Sequence, residues 1–427
     1  MSSIEIQGNH KTKSFIILRE LSFDTSTLLS KASLVSHHIP RSTANLKNLN
    51  LFNTIKITYT VKNDCAAIDI MVTEKWYVWP IPFVEFADRN FNQWQQFDFN
   101  TNRTNFGLYL FKYNQFGRNH TVKLTLGSGY TRAFGLEYRA PYINDKKTIG
   151  FDVDTRWIRN REIQYDLLGN REQFHRNDDS DQIEQYRFNV GVNYRPKLYG
   201  RHRISAGIHN VFVSDYTLDS LNVDYLFSGT DYQGIRLGYQ YQYDKRNNRL
   251  FPLLGTYGNI GIEWHGAQDN SYLTLTGNYT RFGSLFPQVN RLKAAFQVVG
   301  EYRTAKNLPY FFDRILGYNN VVRGYELYAF TGQGFALIKP ELRWMLLQER
   351  IFNWKWPVLG NYQKMAAESY FSAFMDFGVV AGSDENELLG YGFGINTLLY
   401  LDKVFRFEYS WNHWGEAGLK VHFKQAF

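Results

Sequence analysis

The residues of this chain with the clearest chemical meaning are one arginine and two carboxylates in its C-terminal third. Arg323 lies in the segment Val322-Arg323-Gly324-Tyr325-Glu326, and Glu341 and Asp376 follow in two later segments. A guanidinium presents five donors in a planar fork that fits a carboxylate, and such charge-assisted hydrogen bonds are stronger than neutral ones. Arg323 can meet both carboxylates only if its loop folds back between the strands that carry them. The architecture of the chain is therefore the first clue to its function.

Alternation along the two later strands places both carboxylates on the polar face. Successive side chains of a strand point to opposite faces, so Asp376 is predicted to lie opposite Met375, and Glu341 opposite Leu342. In a barrel with an apolar exterior, both acids would point into the lumen. The alternative, that Arg323 only caps its own loop, stays open at this stage.

Motifs typical of enzymes are missing from the sequence. It contains no Gly-x-Ser-x-Gly elbow, no His-Glu-x-x-His zinc helix and no Walker loop. His37 and His38 are adjacent, but no Asp, Glu or Cys cluster at metal-ligand spacing accompanies them. Asn177, Asp179 and Asp181 resemble the start of a calcium loop whose later positions do not fit, which favours a solvated acidic loop. We therefore predict no enzymatic activity, no cofactor and no metal.

Composition excludes several further classes of protein. The 48 basic residues are interleaved with 40 acidic ones and form no basic block, so the net charge of +8 does not indicate nucleic-acid binding. The lone Cys65 excludes an intrachain disulfide. No apolar run approaches the roughly 18 residues of a transmembrane helix. If the chain spans a membrane, it is expected to do so as a barrel.

The pattern of apolar and polar residues changes at about residue 75. The first 75 residues read as a small α+β unit, with a strand at 4–6, helical spacing at 13–21 and 41–51, and two strands within 55–72. The remainder, 76–427, alternates apolar and polar residues almost throughout, and aromatic residues make up 17% of the whole chain. An apolar exterior around a polar lumen explains this alternation better than a soluble sandwich does.

Sixteen alternating segments can be counted in the second part. They are centred near residues 83, 108, 125, 137, 153, 190, 207, 237, 259, 276, 298, 340, 375, 394, 408 and 420. The even number and the alternation of short and long connections predict an antiparallel transmembrane barrel with sixteen strands. The connection 348–368 is too long for the short-turn side. It carries Phe352, Trp354, Trp356 and Leu359, so we expect a structured element facing the periplasm.

These features together resemble the BamA/TamA family of outer-membrane proteins over nearly the whole chain. Residues 3–75 look like a single periplasmic POTRA domain, 79–427 like the sixteen-stranded barrel of the family, and the turn 244–255 is similar to a recurrent family turn. The resemblance implies a place in the outer membrane of Gram-negative bacteria, and a signal peptide is expected to lie outside this sequence.

The resemblance also implies a function and partners. It points to insertion of β-barrel proteins into the outer membrane or translocation of polypeptides across it. The expected partners are outer-membrane lipids, unfolded or extended polypeptides and accessory outer-membrane or periplasmic proteins, without nucleic acid. Two alternatives stay open, namely a structural scaffold within a larger outer-membrane complex and a passive diffusion channel.

Two sets of site residues follow from the resemblance. The expected anchor of the long loop inside the lumen consists of Arg323, Gly324, Tyr325, Glu341, Asp376 and Gly378. The expected β-signal, which directs membrane insertion of the barrel itself, consists of Glu416, Gly418, Val421 and Phe423, with the terminal Phe427 as the alternative end point.

A third set lies where the first strand would close the barrel against the last. Pro80 and Pro82 are spaced by two and withhold amide donors from the same edge of the first strand. Gly415 and Gly418 lower the strand propensity of the last one. We expect these two strands to pair over fewer residues than any other neighbours, which would leave a lateral seam.

Overall fold

The structure is a computed structural model. It describes residues 3–23, 35–62, 65–89, 91–267, 270–286, 288–353, 364–382, 387–399 and 403–422. Within these residues, no helix has both the length and the apolar character needed to cross a membrane.

The N-terminal unit is a three-stranded sheet with two helices. Its elements are β1 (Ser3–Gln7), α1 (Ser14–Leu18), α2 (Val35–Asn48), β2 (Phe52–Lys62) and β3 (Cys65–Glu74). The strand order is β1-β3-β2, with β1 parallel and β2 antiparallel to β3. The helices cover this sheet because Ile16, Leu46 and Ile70 are fully buried together. Helix α2 begins before residue 41, where the sequence predicted it to start, and it contains Pro40.

The second part forms one sheet of sixteen strands. Its strands are β4 (Val78–Phe86), β5 (Thr104–Gln115), β6 (His120–Gly129), β7 (Thr131–Ala140), β8 (Ile149–Asn160), β11 (Ile183–Tyr194), β12 (Gly200–Val213), β13 (Asp231–Asp244), β14 (Gly255–Ala267), β15 (Asn270–Gly283), β16 (Leu292–Arg303), β19 (Gly334–Asn353), β20 (Lys364–Ala381), β21 (Glu387–Leu399), β22 (Lys403–Asn412) and β23 (Ala417–His422). The connections carry α3 (Phe91–Gln96), β9 (Glu162–Leu168), β10 (Arg171–Arg176), α4 (Tyr310–Asp313), β17 (Arg314–Leu316) and β18 (Phe330–Thr331).

The order of the strands in the sheet follows their order in the chain, and neighbours are antiparallel. Each of the sixteen predicted centres falls within one of these strands. The prediction of a sixteen-stranded antiparallel sheet is thus confirmed.

The two faces of this sheet are inverted relative to a soluble protein. On β20, Met375 and Phe377 are 42% and 44% exposed, whereas Asp376 between them is fully buried. On β19, Leu342 is 44% exposed and Glu341 only 3%. Burying charge while exposing apolar side chains is favourable only if the exterior meets lipid and the charges are paired inside.

The long connections pack on one another at one end of the sheet. The hairpin β9–β10, the segment 214–230 and the segment 304–332, which we call loop 6, share an apolar cluster that includes Tyr225, Tyr310 and Phe311. Loops are usually mobile surface segments, but these bury aromatic side chains together and are therefore held as one layer.

The short turns at the opposite end carry the N-terminal unit. The backbone amide of Lys13 donates to the carbonyl of Gly117 at 2.9 Å, and the Asn114 side chain donates to the Thr12 hydroxyl at 2.8 Å. Short connections and the N-terminal unit thus lie on the same side of the barrel.

A buried ion pair fixes this docking. Arg195, in the turn after β11, binds Glu20 of the N-terminal unit at 2.5 Å and 2.9 Å. The Tyr142 hydroxyl also donates to Glu20, at 3.2 Å. Burial alone would lower the pKa of the Arg195 guanidinium, but the adjacent Glu20 outweighs it and raises that pKa. Arg195 therefore stays charged, and its charge requires the carboxylate.

The expected connection 348–368 is shorter in the structure. Strands β19 and β20 are the longest in the sheet, with 20 and 18 residues, and they pair as far as Asn353 and Lys364. The prediction ended β19 too early and began β20 too late. The reason is that bulges at 345–350 interrupt the alternation that marks a strand. Trp354, Trp356 and Leu359 lie outside the described residues.

Replacing Glu20 by alanine should loosen the N-terminal unit from the barrel. The change leaves the buried Arg195 without its carboxylate, which costs about 3–5 kcal/mol for a buried pair. Spin labels on the unit and on the barrel should then give a broadened distance distribution in the full-length protein. Glu5→Ala is the matched control, because Glu5 is exposed and its side chain accepts a hydrogen bond only from Gln7 among the described residues. Equal distributions for both variants would contradict this role of Glu20.

Candidate functional site

The inward faces of β19 and β20 hold Arg323 of loop 6 in a two-sided ion cluster. Its Nε and Nη2 donate to the two oxygens of Asp376 at 2.9 Å and 2.6 Å, and Nη1 donates to Glu341 at 2.5 Å. Its backbone amide also donates to Asp376 at 3.0 Å. The guanidinium lies over the ring of Phe374, 3.7 Å from the ring centroid. The structure therefore brings Arg323 together with the two carboxylates that strand parity places on the inward face.

Further charges complete the cluster. Arg343 Nε donates to the second oxygen of Glu341 at 2.6 Å, and Lys339 Nζ lies 3.7 Å from Asp376. Glu408 of β22 comes within 3.7 Å of Arg323. Because these side chains are at most 8% exposed, each charge depends on an opposite one for its stability.

Three glycines make room for the loop. Gly324 has φ +96°, a conformation that other residues rarely adopt. A Cβ on Gly390 of β21 would lie 1.7 Å from the carbonyl oxygen of Arg323, and one on Gly378 would lie 2.8 Å from the Val322 side chain. The loop backbone thus lies directly against the barrel wall.

Tyr325 fastens the loop beyond Arg323. It is 1% exposed, stands edge-on to the ring of Trp414 at 4.7 Å and shares a hydrogen bond of 2.5 Å with His413. Since Trp414 and His413 belong to the hairpin between β22 and β23, loop 6 is attached both to the wall and to the last hairpin.

The turn 244–255 reaches the same cluster from the other end of the barrel. Phe251 is 3% exposed and packs against Tyr370 with ring centroids 5.1 Å apart. Arg343 donates to the carbonyl of Pro252 at 2.8 Å. The turn therefore folds into the lumen rather than out into solvent.

The two ends of the sheet are β4 and β23, the strands between which the sequence predicted a seam. Within the described residues, no backbone ladder joins these strands. The carbonyl of Tyr77, just before β4, accepts a hydrogen bond from the backbone amide of Tyr113 of β5 at 2.7 Å. The backbone N–H and C=O groups of odd-numbered residues in β4 therefore point towards β5. Pro80 and Pro82 are even-numbered and therefore face the open edge, where they offer no amide donor.

Helix α3 lies at this open edge. Asn92 Nδ2 donates to the carbonyl of Leu419 at 2.7 Å, a carbonyl that points away from β22. In the same helix Trp94 stacks on Phe86, at the end of β4, with ring centroids 4.1 Å apart. A side chain thus satisfies one backbone group that a neighbouring strand would otherwise bond.

The residues expected in the last strand are divided between a turn and the strand. Gly415 was placed in the strand, which is wrong, because it lies in the hairpin turn with φ +85°. Glu416 lies in the same turn and accepts from the Tyr328 hydroxyl at 2.6 Å. Burial opposes ionisation of Glu416, but hydrogen bonds from Tyr328 and Asn412 outweigh it and lower its pKa. Gly418 and Val421 lie in β23. Phe423 and Phe427 lie outside the described residues.

Comparison with known families decides the relationship of this chain. A family model described as the Omp85 superfamily domain matches residues 114–390, which is more than half of the chain. The chain belongs to the Omp85 superfamily. The resemblance to BamA and TamA that the sequence suggested is therefore confirmed.

Two solved structures illustrate the shared fold of this Omp85 protein. BamA from Haemophilus ducreyi lacking POTRA domains 1–3 aligns with a TM-score of 0.54 at 14% identity, over 99% of this chain and 82% of that one. CdiB from Escherichia coli aligns with a TM-score of 0.56 at 13% identity, over 98% and 74% of the two chains. No curated protein matches the chain. At these identities the likeness shows the fold alone.

Several contributors to the site of this Omp85 protein were missed at the level of sequence. Gly390 and Glu408 were not singled out, although both have inward parity among aromatic neighbours on β21 and β22. Helix α3 was not predicted, since six residues are too few for a periodic pattern.

Replacing Arg323 by alanine should destabilise the barrel by about 3–5 kcal/mol, because two buried carboxylates lose their shared cation. Unfolding in urea, followed by the heat-dependent mobility of the folded barrel on gels, measures this change. Arg132→Ala is the control, since that side chain is 43% exposed and surface ion pairs contribute little. A shift for Arg323→Ala no larger than that for Arg132→Ala would refute the importance of the cluster.

Replacing Gly390 by alanine should displace loop 6 without removing any charge. The new methyl group has no space beside the Arg323 carbonyl, and overpacking of this kind costs about 1–3 kcal/mol. The rate of protease cleavage within residues 317–329 should rise. Gly277→Ala, in β15, is the matched control because no atom lies within 4 Å of its added Cβ. Identical cleavage rates in the two variants would show that the loop does not depend on this contact.

Proposed function

We propose that this protein inserts barrel proteins into the outer membrane, or translocates polypeptides across it, at the seam between β4 and β23. The observation that carries the proposal is the absence of a ladder between these strands within the described residues. Unpaired strand edges in a membrane are costly and act as templates for an added strand. An incoming extended segment could pair with either edge.

The N-terminal unit is proposed to be a single periplasmic POTRA domain that comprises residues 1–75, followed by the barrel in 76–427. The order strand, helix, helix, strand, strand supports this assignment. Its strand β2 lies at the edge of the small sheet, so an extended polypeptide could add to it by backbone hydrogen bonds before it reaches the seam.

A scaffold role within a larger complex is the second candidate. The observation in its favour is the docking of the N-terminal unit on the short turns through the buried Glu20–Arg195 pair, which gives a rigid periplasmic surface. A diffusion channel is supported less, because loop 6 and the turn 244–255 both enter the lumen.

A photo-crosslinking experiment tests the seam. A photoreactive amino acid is placed at Val84 on β4 or at Leu419 on β23, side chains that are 75% and 58% exposed. An unfolded outer-membrane barrel protein, delivered by a periplasmic chaperone to the protein in lipid vesicles, should crosslink at both positions while it assembles. Ile204, which is 66% exposed in the middle of the sheet, is the matched control and should not crosslink.

The other outcomes distinguish the candidates. Equal crosslinking at Ile204 and at the seam would contradict a specific entry site. Absence of crosslinks at the seam, combined with loss of a single exported system after depletion of the protein in cells, would favour the scaffold. Loss of many barrel proteins on depletion is the result expected for an insertase.

A further inference from the structure

One wall of the lumen carries arginines that donate no hydrogen bond to a carboxylate among the described residues. Arg156 on β8 and Arg187 on β11 are directly opposite each other in the register of the two strands. His209 of β12 is opposite Arg187 on its other side. Like charges that face each other across strands are destabilising, so this arrangement works against the stability of the sheet.

The hydrogen bonds that Arg187 and Arg236 donate go to neutral groups. Arg187 donates to the His209 ring at 3.2 Å and to the Gln185 side chain at 2.9 Å. Arg236 of β13 donates to Asn189 at 2.7 Å, and its Nε is buried without a hydrogen-bond partner among the described residues.

Arg156 makes no hydrogen bond or ion pair with any residue that the structure describes, and its side chain is exposed to the lumen. Its guanidinium therefore has free donors that point into the space where a ligand could bind.

Elsewhere in the lumen, inward arginines are accompanied by carboxylates. Six other inward arginines lie within 3 Å of a carboxylate: Arg139, Arg203, Arg303, Arg323, Arg343 and Arg406. Arg201, which has no ion pair among the described residues, lies on β12 and so belongs to the same wall. Among the inward arginines of the described residues, those without a hydrogen bond to a carboxylate therefore lie on the wall formed by β8, β11, β12 and β13.

The nearest acids on this wall have other partners. Asp154 accepts from Asn189 at 2.8 Å, and Asp152 binds Arg203 at 2.6 Å. Glu263 of β14 lies 3.2 Å from His265 and 3.6 Å from Arg236. Of Arg156, Arg187 and Arg236, only Arg236 has an ion pair among the described residues, and its distance of 3.6 Å is long.

We propose that this wall binds an acidic segment of an extended polypeptide, with carboxylates at alternate positions. The size of the patch indicates an extended ligand rather than a compact one. Strands β8, β11, β12 and β13 are consecutive in the sheet, and neighbouring strands lie about 4.8 Å apart, so Arg156 and Arg236 are separated by roughly 14 Å across the wall.

A single phosphate or carboxylate cannot contact both ends of such a row. In an extended chain, side chains on one face repeat about every 6.8 Å, so carboxylates at positions i, i+2 and i+4 span the same length. The guanidinium fork suits each of them. The inference rests on the proposed function in that the transport substrate would supply the extended chain.

Binding of a defined peptide tests the inference in the full-length protein in lipid nanodiscs. The probe is a fluorescent six-residue peptide of alternating Glu and Thr, followed by its anisotropy. The combined variant Arg156→Gln, Arg187→Gln, Arg236→Gln should weaken binding at least tenfold. A control variant that removes the same charge from exposed positions away from this wall, Arg118→Gln, Lys146→Gln, Arg281→Gln, should change it less than twofold.

Three outcomes would overturn the inference. The first is equal binding of a Lys-Thr peptide, and the second is undiminished binding by the combined variant. The third is displacement of the peptide by inorganic phosphate but not by chloride at equal ionic strength, which would indicate a site for a compact anion. A peptide with its three glutamates consecutive should bind more weakly than the alternating one. Peptide binding without crosslinking at the seam would reject the proposed function and leave this site standing.

Discussion

The requirement that buried charges be paired determines how this barrel is built. Arg323 is attached to a long loop, yet it lies almost fully buried between Asp376 and Glu341. Burying these charges carries a desolvation cost that their pairing has to offset, so each charge in the cluster requires its partner. Any displacement of the loop would leave acids on two strands uncompensated, and this restricts loop 6 to one position.

The same cluster connects parts of the molecule that are far apart in sequence. From the N-terminal unit, Asn48 contacts the turn 244–255 through Arg249 at 3.3 Å, and that turn reaches Arg343 through its carbonyl groups. Arg343 and Arg323 share Glu341, and the loop continues to the last hairpin through Tyr325. A contiguous path of polar contacts therefore runs from the N-terminal unit to the seam. Such a path of packed and hydrogen-bonded groups is the kind of physical network through which two sites can be coupled.

The sequence predicted the sheet well because alternation is a local signal. Every strand centre was found, since each strand buries one face and exposes the other regardless of what surrounds it. The meeting of Arg323 with Asp376 also followed from parity. What could not be predicted depends on contacts between distant segments. Helix α3 contacts the edge of β23, a strand more than 300 residues later in the chain. The pairing of residues 350–353 with 364–367 follows bulges that conceal the alternation. Gly390 matters only because loop 6 happens to lie against it.

The seam combines features that act against closure with one that protects it. Pro80 and Pro82 face the open edge of β4 and cannot donate, so a neighbouring strand would gain fewer hydrogen bonds there than at any other edge of the sheet. On the opposite edge, Asn92 satisfies the carbonyl of Leu419 with a side chain. A side-chain contact on a helix of six residues is held by far fewer hydrogen bonds than a strand ladder, so an extended polypeptide could displace it at modest cost. Removal of a full ladder would require breaking many bonds at once in a solvent that cannot replace them. An edge that is covered weakly rather than paired strongly is therefore the arrangement that allows entry of a strand while limiting the exposure of backbone groups to lipid.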